Sequence, residues 1–316
     1  MDVLDWQAYT NALLAAKRPG AENYLAFYDH RIKAIGTNPA HLLIPLDDHL
    51  CHRGDGLFES ICFRKGRIYV LDAHIARMQQ GAKALEILPP CSWEEIQHIT
   101  CQVAQAAKVP DGDLRIFLSR GPGGFGISPT ECPEAGLYIV AIRAKPIDPA
   151  IYTKGITAFT STIPPKQNYL ATIKNTNYLP NVFMAMEATK RGLDVAVSFD
   201  ADGCMGEAAV ANIALVAKDD TFVCPDFTNI LPGTTLLSAM RLVPKKMPLI
   251  QRPITHKDIY DAKEVLLLTS SSLCVPVTSF DNQPIAQGKP GPVAAWLKEE
   301  LAKTYDATGI VLGSIQ

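Results

Sequence analysis

Apolar and polar positions recur along this chain with two periods, and each period marks an element. The Ala/Leu-rich opening, MDVLDWQAYTNALLAAKRPG, has the spacing of a short amphipathic helix. Residues 24–35 and 42–46 predict short strands separated by the turn residues Gly36, Asn38 and Pro39. Residues 61–64 and 67–71 flank Lys65-Gly66 as a hairpin that runs into a helix at Asp72. Helical spacing then covers 76–85 and 92–107, and Ser92 with Glu95 reads as a capping box. Strands follow at 113–119 and 137–142, with the glycine-rich RGPGGFGISP after the first.

Residues 145–155 (KPIDPAIYTKG) are polar, carry two prolines and show no period, which marks a domain boundary. Beyond it come a strand at 156–161, an amphipathic helix around Val182, Met186 and Ala188, a β-branched strand at 195–199 and a turn at 200–203. Strands are expected at 213–217 and 221–224, then a helix opened by Ile230-Leu231-Pro232-Gly233-Thr234-Thr235 and ending at Leu242. Strands at 264–269 and 275–280 bracket Ser270, Ser271 and Ser272, and a helix spans 291–301.

A chain of 316 residues that is 47% hydrophobic can bury a large core and is expected to divide into two domains. A net charge of −2 leaves no basic excess to neutralise phosphates, so nucleic acid and anionic membrane are poor partners and a small metabolite is the better one. No stretch reaches the roughly 18 apolar residues of a membrane span, and the N-terminus lacks a basic leader. A soluble, cytoplasmic protein is expected. The eight cysteines have no close pairs, so they predict core thiols rather than a disulfide framework or a metal site.

The chemistry concentrates between Ile173 and Asn212. Lys174 and Glu207 lie far apart in sequence, yet a lysine at a strand end and a carboxylate after the next strand can meet in space. A desolvated lysine amine is a Schiff-base nucleophile, and a buried carboxylate keeps a heteroaromatic nitrogen protonated. Those are the two protein groups that pyridoxal phosphate most needs. Gly121, Gly123 and Gly126 spell G-x-G-x-x-G after a strand, but the prolines of ISPTECPEAG forbid the helix a pyrophosphate would require.

The segment resembles the class IV aminotransferases, which include branched-chain and D-amino-acid aminotransferases and 4-amino-4-deoxychorismate lyase. The matching residues are Lys174, Asn177, Tyr178 and Leu179, then Glu187, Ala188 and Gly192, then Gly203, Met205, Glu207 and Asn212. The likeness extends to Gly54-Asp55-Gly56-Leu57-Phe58-Glu59 and to His74-Ile75-Ala76-Arg77. It implies a two-domain α/β (α+β) fold-type-IV enzyme, with a small α/β domain at 1–144, a linker at 145–155 and a larger cofactor domain at 156–316 built on a mixed sheet or pseudo-barrel.

It also implies pyridoxal 5′-phosphate as a Schiff base on Lys174, with Glu207 on the ring nitrogen and Tyr178 on the ring oxygen. Arg77, Thr234, Thr235 and Ser270, with Thr269 next, hold the phosphate, although the family's usual arginine after the threonine is Leu236 here. Asn212 is expected to fix the backbone around Glu207, His74 to serve packing, and Asp55 to sit in a turn. Lys154 and Lys166 lack comparable company and read as solvated. Phe58, Ser60, Arg115 and Arg120 are the substrate-side candidates, one of the two arginines for a carboxylate and the other for an ordinary ion pair.

The reaction expected first is amino transfer between a branched-chain or D-amino acid and a 2-oxo acid. The alternative is lyase chemistry releasing 4-aminobenzoate and pyruvate, toward which Ser60 and the Ser119-Arg120-Gly121 run lean. No metal is called for, and the resemblance implies a homodimer.

Overall fold

The computed structural model describes residues 2–313. They form two compact units, each with its own sheet: residues 2–145 joined by the returning strand Ile310–Val311, and Pro146–Thr308.

The first unit is a seven-stranded antiparallel sheet. Its centre is formed by Gly56–Arg64, Gly112–Ser119 and Gly136–Arg143. Side chains alternate across it as period two requires. Leu57, Glu59 and Ile61 pair in register with Leu118, Ile116 and Leu114 on the face covered by the helices Leu71–Ala84 and Trp93–Ala106. Burying each of those aliphatic side chains stabilises the unit by roughly 1.5–3 kcal/mol. The opposite face carries Phe58, Ser60, Phe117 and Arg115, all partly exposed.

The second unit is a mixed nine-stranded sheet. Asn212–Val216, Glu264–Thr269 and Leu273–Phe280 run antiparallel at its middle, and Ile156–Thr160 lies parallel to both Leu273–Phe280 and Val195–Phe199. Met205–Ala208 closes one edge. The helices Leu179–Arg191, Thr234–Leu242 and Pro292–Thr308 pack on this sheet.

Several elements depart from the sequence expectation. Residues 24–35 are two strands, Tyr24–Asp29 and Ala34–Gly36, because Asp29 accepts from the Arg31 backbone and guanidinium and turns the chain at Lys33, whose φ is 50°. Residues 42–46 form no strand; Pro45 offers no N–H and Asn38 instead caps a 3-10 turn at Pro39–His41. The capping box at Ser92 is half present, with the Ser92 hydroxyl accepting from Glu95 N. The complete box is at Thr255 and Asp258, opening His256–Asp261. All eight cysteines are free, but only Cys62, Cys224 and Cys274 are buried, so the expectation of core thiols holds for three. After the glycine-rich loop comes a 3-10 turn, Pro129–Glu131, and the loop folds over the Glu131 carboxylate, which accepts from Gly126 N at 3.0 Å.

Candidate active site

Lys174 lies in the link between the helices Asn168–Ala171 and Leu179–Arg191, not at a strand end as the sequence suggested. The link is fixed from inside. Asn175 is fully buried, its amide nitrogen donates to the carbonyls of Leu170 and Ile173 at 3.0 Å each, and its oxygen accepts from Asn177 N at 3.0 Å. With that backbone held, the Lys174 Nζ reaches the hydroxyl of Tyr178, the N-cap residue of the second helix, at 3.2 Å.

Lys166 is not the solvated lysine the sequence suggested. It is partly buried, and its Nζ stands 4.2 Å from the centroid of the Tyr178 ring, against 5.5 Å for the Lys174 Nζ. Desolvation lowers its pKa, and the Glu207 carboxylate pulls the other way. Lys166 therefore joins Tyr178, Lys174 and Glu207 in one cluster. The Pro164-Pro165 that aims it is the signal the sequence offered.

Glu207 sits on Met205–Ala208, and its carboxylate accepts from Leu231 N at 3.4 Å. Asn212, at the start of its strand, donates to the Leu231 carbonyl at 2.9 Å. Both polar backbone atoms of Leu231 are thus held by the two residues; the Asn212 side chain fixes the Leu231 turn rather than the backbone of Glu207 itself. Gly233 is needed here, since a Cβ on it would come within 1.9 Å of the Asn212 Oδ1.

The fixed turn delivers the N-terminus of Thr234–Leu242, which has no side-chain cap. Thr234 and Thr235 are buried, and the Thr235 Oγ1 has no hydrogen-bond partner among the described residues. Buried hydroxyls are normally satisfied, so such a group at a helix start could receive an anion. Leu236, in place of the family arginine, is fully buried in the core.

Register carries Ser270 to the same end of the sheet: Asn212 pairs with Leu268, two residues before Ser270. Ser270 is partly buried in the turn. The Thr269 hydroxyl is within 2.6 Å of the Ser272 hydroxyl and accepts from Ser272 N, so it holds the turn itself.

In the first unit, Arg77 grips Glu59 with two nitrogens, Nε at 2.8 Å and Nη2 at 2.6 Å, and the His74 Nδ1 is 2.6 Å from the same carboxylate. Burial alone would raise the Glu59 carboxyl, but Arg77 and His74 outweigh it and hold the group at about 2. Phe58 and Phe117 stack at 6.2 Å on the sheet face that also carries Ser60 and Arg115, cross-strand partners in register.

Arg120 lies beyond that strand. It forms a two-nitrogen ion pair with Asp55, at 2.9 and 3.1 Å, and donates to the carbonyls of Leu85 and Glu86. Asp55 is accordingly the partner of Arg120 and not only a turn residue.

Among the described residues no group of histidine, cysteine and acidic side chains is arranged to hold a metal ion, and no helix is long and apolar enough to cross a membrane.

Residues 56–280 match the family model for amino-transferase class IV. The chain is 36% identical over 289 residues to a chloroplastic D-amino-acid transaminase of Arabidopsis thaliana, covering 89% of this chain and 77% of that one. It is 28% identical over 266 residues to a putative branched-chain-amino-acid aminotransferase of Methanocaldococcus jannaschii, covering 83% and 91%. Its fold matches the crystal structure of a T.th. branched-chain amino acid aminotransferase with pyridoxamine 5′-phosphate at a TM-score of 0.85 and 21% identity, over 92% of this chain and 99% of that one.

Proposed function

The chain belongs to the class IV aminotransferase family, and on that premise we propose that it moves an amino group between an amino acid and a 2-oxo acid, with Lys174 as the cofactor-bearing residue. It is a pyridoxal 5′-phosphate enzyme. The cofactor supplies an electron sink for the pair left when a substrate Cα loses its proton.

The residues present fit that group. The Thr235 hydroxyl and the helix start suit a phosphate, with Thr234 on the same helix start, Ser270 at the same end of the sheet and Thr269 shaping its turn. In the first unit Arg77 is, by the family resemblance, the candidate phosphate-binding guanidinium, its plane set by Glu59. The Glu207 carboxylate, steadied by Leu231 N, is the acceptor that would keep a ring nitrogen protonated, and the Tyr178 hydroxyl the donor for a ring oxygen. The Lys174 amine is the covalent attachment point and, once released, the base that moves the Cα proton. The observation that carries this reading is the Lys174–Tyr178 pair, held by the buried Asn175.

D-Amino acids come first as donors, because the plant relative carries that name, and branched-chain acids second, on the archaeal relative's name. Arg115 is the candidate for the substrate carboxylate, since Arg120 is already taken by Asp55. Phe58 and Ser60 share its sheet face. The Ser60 hydroxyl beside Arg115 also supports the second reading, release of 4-aminobenzoate and pyruvate from 4-amino-4-deoxychorismate.

A homodimer fits the exposed apolar stripe of the helix Leu179–Arg191, with Leu179, Val182, Phe183 and Met186 between 43% and 60% exposed. Purified enzyme assayed with D-alanine, L-branched-chain acids and aminodeoxychorismate tests the reading. Keto acid from an amino donor is the expected result; 4-aminobenzoate with no amino exchange would reverse the order.

A further inference from the structure

We propose that Lys166 is a positioning residue for Lys174: it braces the ring of Tyr178, the hydrogen-bond acceptor of the Lys174 amine. The inference rests on the reading of Lys174 as the cofactor-bearing lysine.

The arm that carries Lys166 is fixed along its length. The Ser161 and Thr162 hydroxyls donate to the Glu187 carboxylate on the helix Leu179–Arg191, and Ser161 N donates to the Val197 carbonyl at 2.8 Å. Pro164 and Pro165 then hold the chain stiff, with φ set by their rings. Pro165 lies against Gly206, where a Cβ would come within 3.0 Å of the Pro165 Cβ and 2.5 Å of the Ser198 Oγ. Gly206 immediately precedes Glu207, so the arm is registered against the strand that presents that acid. Its ammonium ends 4.2 Å from the Tyr178 ring centroid.

A lysine placed for solubility would extend into water at no cost. This one gives up hydration, which lowers its pKa, while the Glu207 carboxylate acts in the opposite direction. Around the ring the ionisable groups are Lys166 on its arm, Lys174 and Tyr178 at the helix start, and Glu207 on the neighbouring strand. Glu187, the acid on the helix Leu179–Arg191, is taken by Ser161 and Thr162.

A cation over a tyrosine face restrains the ring, and so the direction of the hydroxyl that receives the Lys174 amine.

The test is a spectrophotometric pH titration of the full-length, cofactor-loaded enzyme, following the visible absorption of the bound cofactor in wild type, K166M, K166Q and K166R. Losing the cation over the ring in K166M or K166Q is expected to move the titration midpoint by about 0.5–1 pH unit, and K166R to restore it. K166Q keeps a polar group and covers the case in which K166M folds poorly. Midpoints unmoved in both neutral variants overturn the proposal. Borohydride reduction with peptide mapping accompanies the titration: attachment at Lys174 with an unmoved midpoint removes only the role of Lys166, whereas attachment at another residue removes the assignment of Lys174 as well.

Discussion

Tyr178 receives a hydrogen bond from the Lys174 amine at 3.2 Å, four residues back along the chain, although the two are not in one helix. The pairing depends on the bent link between two helices, which the buried Asn175 side chain holds through three hydrogen bonds. Local sequence distance and spatial proximity coincide here only because one amide side chain substitutes for the helical ladder.

Y178F removes the hydroxyl while leaving the ring that Lys166 contacts. The expected outcome is a loss of about tenfold to a hundredfold in kcat with the thermal midpoint within a few degrees of wild type. Steady-state kinetics beside a melting curve checks it. An unchanged kcat would remove Tyr178 from the site.

Asn212 should matter for cofactor affinity more than for turnover, because its amide holds the Leu231 carbonyl, ahead of the helix start at Thr234. N212A leaves that buried carbonyl without its donor, which costs about 1–3 kcal/mol. Denaturant titration of the cofactor-free protein and equilibrium binding of pyridoxal phosphate should both move, with Kd rising about tenfold.

Thr235 offers a prediction whose sign differs between the two states. Its buried hydroxyl has no hydrogen-bond partner among the described residues, so T235V removes an unsatisfied polar group and should leave the cofactor-free protein as stable or more stable, by up to about 1 kcal/mol. The same change should weaken cofactor binding about fivefold or more. A variant destabilised without cofactor and unaffected in binding would contradict the anion seat.

Glu59 fixes the acid limb of stability. Its folded pKa of about 2 lies below the ordinary 4.5, despite the desolvation that opposes it, because Arg77 and His74 favour the carboxylate. A depressed folded-state pKa gives stability that is fully present above the unfolded value and lost as pH falls through the folded one. Urea midpoints should therefore decline between about pH 4.5 and 2 from this group. E59Q, which removes the negative charge facing Arg77 and His74, should flatten that decline and cost about 3–5 kcal/mol at neutral pH.

Much of the site was legible because it is written in short motifs. Lys174 with Tyr178, Glu207 with Asn212, and Thr234 with Thr235 each sit within a few residues of one another, and residue chemistry at that spacing carries the reading. The strands Gly112–Ser119 and Glu264–Thr269 were visible through their β-branched and aliphatic runs.

What the sequence did not disclose depends on distant partners. Asp55 and Arg120 are 65 residues apart, and no period connects them. Lys166 resembles any surface lysine until the two prolines ahead of it are seen to hold it on Tyr178. The strand Met205–Ala208 was hidden because Gly206, required for the close approach of Pro165, breaks its alternation.

The central claim is that one nitrogen, that of Lys174, bonds covalently to the cofactor. The most direct measurement is borohydride reduction of the purified yellow enzyme, followed by protease digestion and mass spectrometry of the pyridoxyl-modified peptide. A single modified lysine at position 174 is expected, with loss of the visible band in K174A. Modification at Lys166 or elsewhere, or a K174A protein that still shows the band and turns over, would contradict it.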